Sequence, residues 1–460
     1  MAMEGDMRHL WAQDAFFYHV YPLGQCGAES RNDFCSPPKP RLDQLHGWID
    51  HLRGLGANAL YLGPVFEATA HGYDTADYYH VDRRLGSDET LAGLRAALHA
   101  AGIRVILDGV FHHVGRDFLA FRDLRQNGPH SAYRDWFAGV DFRRHSPYGD
   151  PFAYDAWEGH FDLVKLNVHH PDVRVHLFGA VRSWVERFGI DGLRLDVAYA
   201  LDPGFIHDLA SFCRTLRPDF WLLGEAIHGD HRRLAGPGLL DAVTNYECYK
   251  GLYSSHNDRN YFEIAHSLNR LFGDSGLYRQ LTTYNFADNH DVNRIASTLR
   301  NPAHLYPLHL LLFTMPGVPS VYAGSEWGIE GVKANGDDRL LRPALSSPAD
   351  AAVHARHPDL AQAIARFAAI RRSSAALRVG SYRQSYVTSE QFAFERKHMS
   401  ESMVVAVNAA VAPVQIDIPL ASGRSDAFED TLEPGKVFSV RHNQLRVELP
   451  ACWGRCLVGR

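Results

Sequence analysis

Apolar runs and helical patterns take turns along most of the chain. Eight runs stand out: "AFFYHVYPL" (15–23), "ANALYLGPV" (57–65), "IRVILDGVF" (103–111), "DGLRLDVAY" (191–199), "FWLLGEAI" (220–227), "LLDAVTNY" (239–246), "TTYNFADN" (282–289) and "GVPSVYAGS" (317–325). They are continuous rather than alternating, the pattern of strands buried on both faces of a parallel sheet. Between them lie helical patterns. "RLDQLHGWIDHLRGLG" (41–56) has leucines at helical spacing and ends in Gly54 and Gly56. "SDETLAGLRAALHAAG" (87–102) starts at a Ser/Asp cap and stops at Gly102, and "PDVRVHLFGAVRSWVERFG" (171–189) has the same shape. "PDLAQAIARFAAIRRSSAAL" (358–377) reads as the last helix. Eight strands, each followed by a helix, predict a (β/α)8 TIM barrel.

Two segments break the rhythm. Residues 113–171 are rich in Gly, Pro, Asp, His and aromatics, show no long helical pattern, and are too long for a plain strand–helix loop. They predict a subdomain inserted after strand 3. Beyond 378, "QFAFERKHM", "SMVVAVNAA", "VQIDIPL", "KVFSVRHN" and "LRVELPA" are short strands parted by turns. The expected organisation is therefore barrel, first part, 1–112; inserted subdomain, 113–171; barrel, second part, 172–378; and C-terminal β-sandwich, 379–460.

Composition narrows the function classes. Apolar residues are 46% and charged residues 22%, so the chain can bury a large core. A net charge of −6 gives no electrostatic reason to expect nucleic acid or an anionic membrane as partner. No apolar run is long enough for a membrane span, and the N-terminus lacks the basic and apolar regions of a signal peptide. The six cysteines form no CxxC pair and read as reduced thiols of a cytoplasmic protein. Aromatics at 12% and 27 histidines suit a site that binds polar rings.

The charged residues fall at strand ends. Asp108 and the His112–His113 pair close the third strand, Arg194 and Asp196 the fourth, Glu225 the fifth, and His290–Asp291 the seventh. In a parallel barrel these ends open on one face, where barrel active sites lie. One acid at a strand end is usually a cap or a structural ion pair, but four charged strand ends converging on one face point to chemistry. Carboxylates sharing a pocket repel, so at least one should have a raised pKa. Arg194, two residues from Asp196 on the same strand face, should keep that aspartate ionised. Glu225, in an apolar run without an adjacent cation, suits a proton donor. A nucleophile and an acid of this kind are what retaining glycoside hydrolysis needs.

The stretches "LDGVFHH", "DGLRLDVAY", "LLGEAI" and "NFADNHD", in this order, resemble the four hallmark regions of the α-amylase family, glycoside hydrolase family 13. "HGYDTADYYHVDRRLGSDETL" and "MPGVPSVYAGSEWG" match further blocks of it. "HGYDTADY" and "LVKLN" (163–167) look most like its cyclomaltodextrinase, neopullulanase and maltogenic amylase group. The resemblance implies Asp196 as nucleophile, Glu225 as acid/base, and Asp291 as the group holding the 2- and 3-hydroxyls of the sugar being cleaved. It implies that Arg194 orients Asp196, that His113 and His290 bond sugar hydroxyls, that Tyr73 stacks under the ring, and that Asp108 supports the base of the site. Asp338 and Arg342 would contact the next sugar. The substrates implied are cyclodextrins and short maltooligosaccharides cleaved at α-1,4 bonds, with no cofactor; the oligomeric state is left open.

The chain also departs from that group. The barrel is expected to begin near Trp11, without the N-terminal β-domain that group usually carries. After the nucleophile, Val-Ala-Asn-Glu is replaced by Val197, Ala198, Tyr199 and Ala200. After the acid, Ala226-Ile227-His228 replaces Ile-Trp-His. His112 stands where an asparagine often helps bind calcium, and imidazole is a poor ligand for that ion, so no metal is expected. The altered tail keeps a transglycosylase or sucrose-type isomerase on the same site as the alternative. A silent transporter partner would lack the carboxylates and carry a membrane span. A zinc hydrolase would need ligand spacing such as HExxH, which is absent.

Overall fold

The computed structural model describes residues 11–334, 336–421 and 425–460. The first ten residues of the expected barrel segment 1–112 lie outside the described residues. Strands β1 (Phe17–Val20), β2 (Ala59–Leu62), β3 (Arg104–Gly109), β7 (Gly192–Leu195), β8 (Trp221–Gly224), β9 (Ala242–Thr244), β10 (Thr282–Phe286) and β11 (Val318–Tyr322) close a parallel barrel in the order β1-β11-β10-β9-β8-β7-β3-β2. Each falls within one of the eight apolar runs. Between β3 and β7, β4 (His113–Gly115), β5 (Ala156–Trp157) and β6 (His160–Lys165) make a small antiparallel sheet. No helix is long and apolar enough to cross a membrane, among the described residues.

The strands are apolar throughout because both faces are buried, against different layers. Phe17, Ala59, Tyr61, Ile106, Trp221, Leu223, Tyr284 and Phe286 fill the barrel interior. Their neighbours Tyr18, Leu60, Val105, Leu107, Leu193, Leu195 and Leu222 join the large core under the helices. The period of two puts Arg194, between Leu193 and Leu195, on the inner face. Gly192 permits the approach of β8: a Cβ there would lie 2.3 Å from the Trp221 carbonyl oxygen.

Two local expectations need correction, for residues 41–56 and for the β8–β9 connection, and the inserted stretch gains one short helix. Residues 41–56 are not one α-helix: Arg41–Trp48 winds as a 3-10 helix before the α-helix Ile49–Leu55. Buried Leu42, Leu45 and Trp48 recur every three residues, which matches the tighter helix. The inserted stretch does contain a helix, Leu119–Asn127, held by buried Ala120, Phe121 and Leu124. The β8–β9 connection has only the 3-10 turn His231–Arg233, among the described residues. Gly229, Gly236 and Gly238, all at positive φ, interrupt that loop. The helices Asp88–Ala100, with a Ser87–Thr90 capping box, and Pro171–Phe188, ended by left-handed Gly189, lie where their caps predict.

The C-terminal strands β12 (Ser381–Val387), β13 (Gln391–His398), β14 (Glu401–Asn408), β15 (Val414–Pro419), β16 (Ala427–Asp430), β17 (Val437–Arg441), β18 (Gln444–Leu449) and β19 (Trp453–Gly459) form an antiparallel array in the order β12-β13-β14-β19-β16-β17-β18-β15. Alternation divides its central strands between two cores. Phe392, Phe394, Met403, Val405 and Val407 join the barrel's outer core. Ala393, Val404 and Ala406 face a separate core with Ile416, Phe428, Leu445 and Leu457.

At the start of β7 the fully buried Asp191 accepts from the Val105 backbone N–H at 2.8 Å, from Arg104 at 2.9 Å and from Arg217 at 3.2 Å, with His99 Nε2 2.6 Å away. This is the N-terminal rim of the barrel, remote from the strand ends that carry the other acids. Asp191→Ala strands two arginines and a backbone donor. It should destabilise the fold by about 3–5 kcal/mol, the scale for breaking a buried ion pair. Chemical denaturation should show this loss, while turnover per folded molecule should stay close to wild type.

Candidate active site

The site is assembled at the C-terminal ends of the barrel strands around one guanidinium. Arg194 is buried, with Nη1 2.9 Å from Asp108 Oδ1 and 2.7 Å from Asp196 Oδ1, and Nη2 3.0 Å from Glu225 Oε2. Glu225 therefore does have an adjacent cation, contrary to the reading of its own strand. Strand register explains the difference: Arg194 pairs with Leu223 and Leu195 with Gly224, so Glu225 comes level with Asp196 on the neighbouring strand, within reach of the Arg194 side chain.

The three carboxylates are held differently. Asp108 also accepts from the hydroxyls of Tyr61 at 2.8 Å and Tyr73 at 3.1 Å. Glu225 Oε2 takes the Val197 N–H at 2.9 Å, and Oε1 receives no hydrogen bond among the described residues. Asp196 gives Oδ1 to Arg194, while Oδ2 faces His113 Nε2 at 3.7 Å. One free oxygen on each of Asp196 and Glu225 is what attack and proton delivery require.

Burial pushes the carboxyls of Asp108, Asp196 and Glu225 above their ordinary range. Arg194 opposes this in all three but does not overcome it, and Asp196 is raised well above its usual value. One cation is thus divided among three buried acids. The histidines add no positive charge at neutral pH. Burial pushes His113 down to about 3 and His112 down to about 4, and it lowers His290 and His19 far below the usual imidazole value. His112 and His113 face each other, Nδ1 to Nδ1 at 3.2 Å.

A second cluster adjoins the first. His290 Nε2 lies 3.0 Å from Asp291 Oδ2 and bonds the Tyr73 hydroxyl, and its ring stacks on Tyr73 with centroids 5.5 Å apart. Arg342 Nη2 bridges Asp291 and Asp338, both at 3.0 Å, and Arg342 Nε donates to the His290 carbonyl. The ten residues named from the sequence thus form one connected network. His113 Nε2 and His290 Nδ1 are buried without a hydrogen-bond partner among the described residues and can bond a ligand hydroxyl.

Several participants were not picked out from the sequence. Tyr61 and His19 pair in register on β2 and β1 and stack at 4.2 Å beneath Asp108. The signal was available: both occupy inward positions near strand ends. Lys333 Nζ contacts Asp338 Oδ1 at 2.9 Å, and the Tyr21 ring stacks on His290 at 5.6 Å. Val197 sits at φ 49, a left-handed conformation rare for a β-branched residue, and this turns its N–H onto Glu225. Among the described residues, no group of three or more His, Cys, Asp or Glu side chains is arranged to hold a metal ion.

Comparison with known proteins decides the family. The α-amylase catalytic-domain model matches residues 42–374. The chain belongs to the α-amylase family. It is a glycoside hydrolase, similar to the cyclomaltodextrinase, maltogenic amylase and neopullulanase members. The cyclomaltodextrinase of Bacillus sp is 32% identical over 419 residues, 86% of this chain and 73% of that protein. Neopullulanase 2 of Thermoactinomyces vulgaris is 32% identical over 360 residues, 73% of this chain and 59% of its own length. The solved cyclic α-maltosyl-(1→6)-maltose hydrolase of Arthrobacter globiformis, in complex with that sugar, superposes with a TM-score of 0.81 at 28% identity, covering 97% of this chain and 99% of its own.

The raised carboxyls of this α-amylase-family site carry a stability consequence. A carboxyl whose folded pKa lies above its unfolded value contributes stability that is present below the unfolded value, about 4, and is lost as pH rises through the folded one. At pH 7 the burial of these carboxyls is therefore a cost. Asp196→Asn should raise the melting temperature at pH 7, on the order of 2 °C. The difference should vanish toward pH 4, where the wild-type group is protonated. Calorimetry across that range checks this; a variant melting below wild type at pH 7 would mean that pairing with Arg194 outweighs burial.

Proposed function

We propose that the enzyme cleaves α-1,4 bonds of cyclodextrins and short maltooligosaccharides with retention of configuration, through a covalent glycosyl-enzyme. The observation that carries this reading is the shared grip of Arg194 on Asp196 and Glu225, each left with one free oxygen. Asp196 Oδ2 attacks the anomeric carbon. As that C–O bond forms, the glycosidic C–O bond breaks and the leaving oxygen takes the proton of Glu225. Water then attacks the same carbon, gives its proton to Glu225, and releases Asp196. Burial raises both carboxyls, so the division of roles rests on the position of the two groups and not on their titration.

Arg194 has a double part in this cycle. It stabilises the Asp196 charge before attack and after release, and it fixes the direction of both carboxyls. The neutral imidazoles of His113 and His290 offer nitrogens to sugar hydroxyls without pairing with the nucleophile. Asp291, held by Arg342, faces the position of the 2- and 3-hydroxyls, and Tyr73 lies under the ring being distorted. The cyclodextrin and maltooligosaccharide class rests on similarity to the cyclomaltodextrinases and the neopullulanase. Six free cysteines support a reducing, cytoplasmic setting.

Two measurements test the reading. Incubation with cyclodextrins, maltotriose, pullulan and starch should release glucose or maltose, first as the α-anomer by NMR. No product from any substrate, or a β-anomer, would overturn it. Asp196→Asn and Glu225→Gln should each lower kcat by about 10³-fold or more, and near-normal turnover in Asp196→Asn would reassign the nucleophile.

A further inference from the structure

The tail of the nucleophile strand reaches a part of the molecule that the chemistry does not use. Tyr199 donates its backbone N–H to the Glu225 carbonyl at 3.2 Å, and its ring lies 5.4 Å from that of His228. Its hydroxyl donates to Glu158 Oε1, 3.1 Å away in the turn of the inserted sheet, an exposed contact. Burial above all, with Glu158 and Glu225 adding to it, pushes the Tyr199 phenol up to about 12, so it stays a donor throughout the working pH range.

Glu158 occupies an unusual place. With Gly159 it forms the two-residue turn of the hairpin joining β5 and β6, where Trp157 pairs with His160. Both turn residues have positive φ, 45° at Glu158 and 84° at Gly159. Turns of this kind favour Asn, Asp or Gly at the first position, and glutamate is strained there. A local rule broken without a packing gain marks a side chain kept for what it reaches. The preceding Trp157 lies 6.0 Å from the His113 ring, which itself faces Asp196. The hairpin tip is therefore anchored above the nucleophile, and Glu158 extends from it to Tyr199.

We infer that Tyr199 and Glu158 form a bridge across the leaving-group side of the cleft that selects linear over cyclic α-glucans. This rests on the retaining reading above, which fixes the side: the acid must stand beside the departing oxygen, and the Tyr199 backbone N–H is bonded to the acid's own carbonyl. A linear glucan extends its leaving group past such a bridge as a single strand. A cyclic glucan carries a leaving group still joined to the far end of its chain. It therefore needs width on both sides of the broken bond, and the bridge narrows that width, so a cyclic glucan is accepted less readily than a linear one.

The test compares kcat/KM for β-cyclodextrin with kcat/KM for maltotriose in the wild type, Tyr199→Phe, Glu158→Asn and the double variant. Tyr199→Phe keeps the ring and removes the donor. Glu158→Asn suits the positive-φ turn better than glutamate does but is too short to reach Tyr199. Each single variant should raise the cyclic-to-linear ratio about fivefold, the scale of one hydrogen bond. The double variant should rise no further, because both substitutions cut the same contact. Rates on p-nitrophenyl α-maltoside, whose leaving group is a small phenol, separate this selection from any change in the chemistry common to all substrates. A ratio unchanged in both single variants, or multiplied in the double variant, would overturn the bridge. A purely structural Glu158 would instead give a more stable Glu158→Asn variant with its ratio unmoved. Failure of the underlying reading is distinct: Asp196→Asn would then retain turnover, or the wild type would cleave none of the substrates, and the second result would remove the bridge as well.

Discussion

One buried arginine holds three buried carboxylates, and the rest of the site is arranged around that imbalance. Two unit charges 4 Å apart interact by about 4 kcal/mol at the effective dielectric of a protein site. Arg194 supplies one such attraction to each of Asp108, Asp196 and Glu225, while those three repel one another. Remote from water, the arrangement cannot relax by solvation. It is moderated by hydrogen-bond donors that carry no charge: the phenols of Tyr61 and Tyr73 on Asp108 and the backbone N–H of Val197 on Glu225. Neutral histidines complete the wall. A second cation against Asp196 would lower its energy further and blunt it as a nucleophile; the burial that keeps His113 neutral avoids this.

The barrel makes this arrangement possible by separating tasks along and across its strands. Within the single segment from Asp191 to Asp196, Asp191 ties the N-terminal rim, Leu193 and Leu195 face the helices, and Arg194 and Asp196 face the centre. Stability is concentrated at one end and chemistry at the other, and apolar packing between them fixes their distance. Asp291 reaches the site from another strand, and Arg342, from beyond the last barrel strand, reaches back to hold it. The residues that meet are thus far apart in sequence and rigidly placed in space.

Much of this was legible in the sequence because parallel strands buried on both faces are written as unbroken apolar runs. The eight runs, and the charges at their C-terminal ends, therefore pointed to one face. What escaped was set by relations between strands or by turn geometry. Glu225 looks isolated from cations along its own strand, and only the β7–β8 pairing, which sets it level with Asp196, brings it within reach of the Arg194 side chain. Tyr61 and His19 read as ordinary core aromatics until their pairing places them under Asp108. Residues 41–48 show apolar spacing of three, which short helices of either kind satisfy, so the 3-10 winding was hidden. The loop after β8 has three glycines at positive φ, and its lack of an α-helix follows from that conformation rather than from composition.

The Val197 turn shows why the chemistry and the selection of substrate can vary independently. A β-branched residue at φ 49 is strained, at a cost of about 1–3 kcal/mol. The strain is offset where the turn delivers its N–H to the Glu225 carboxylate and, two residues on, the Tyr199 N–H to the Glu225 carbonyl. Both links between nucleophile and acid are made by backbone. They fix the relative position of the two carboxyls whatever side chains the turn carries, so long as the left-handed residue is tolerated. The side chain at 199 is left free to reach the inserted hairpin. A change there, such as the tyrosine found in this chain, alters the space beside the departing sugar while the distance between the reacting groups stays fixed.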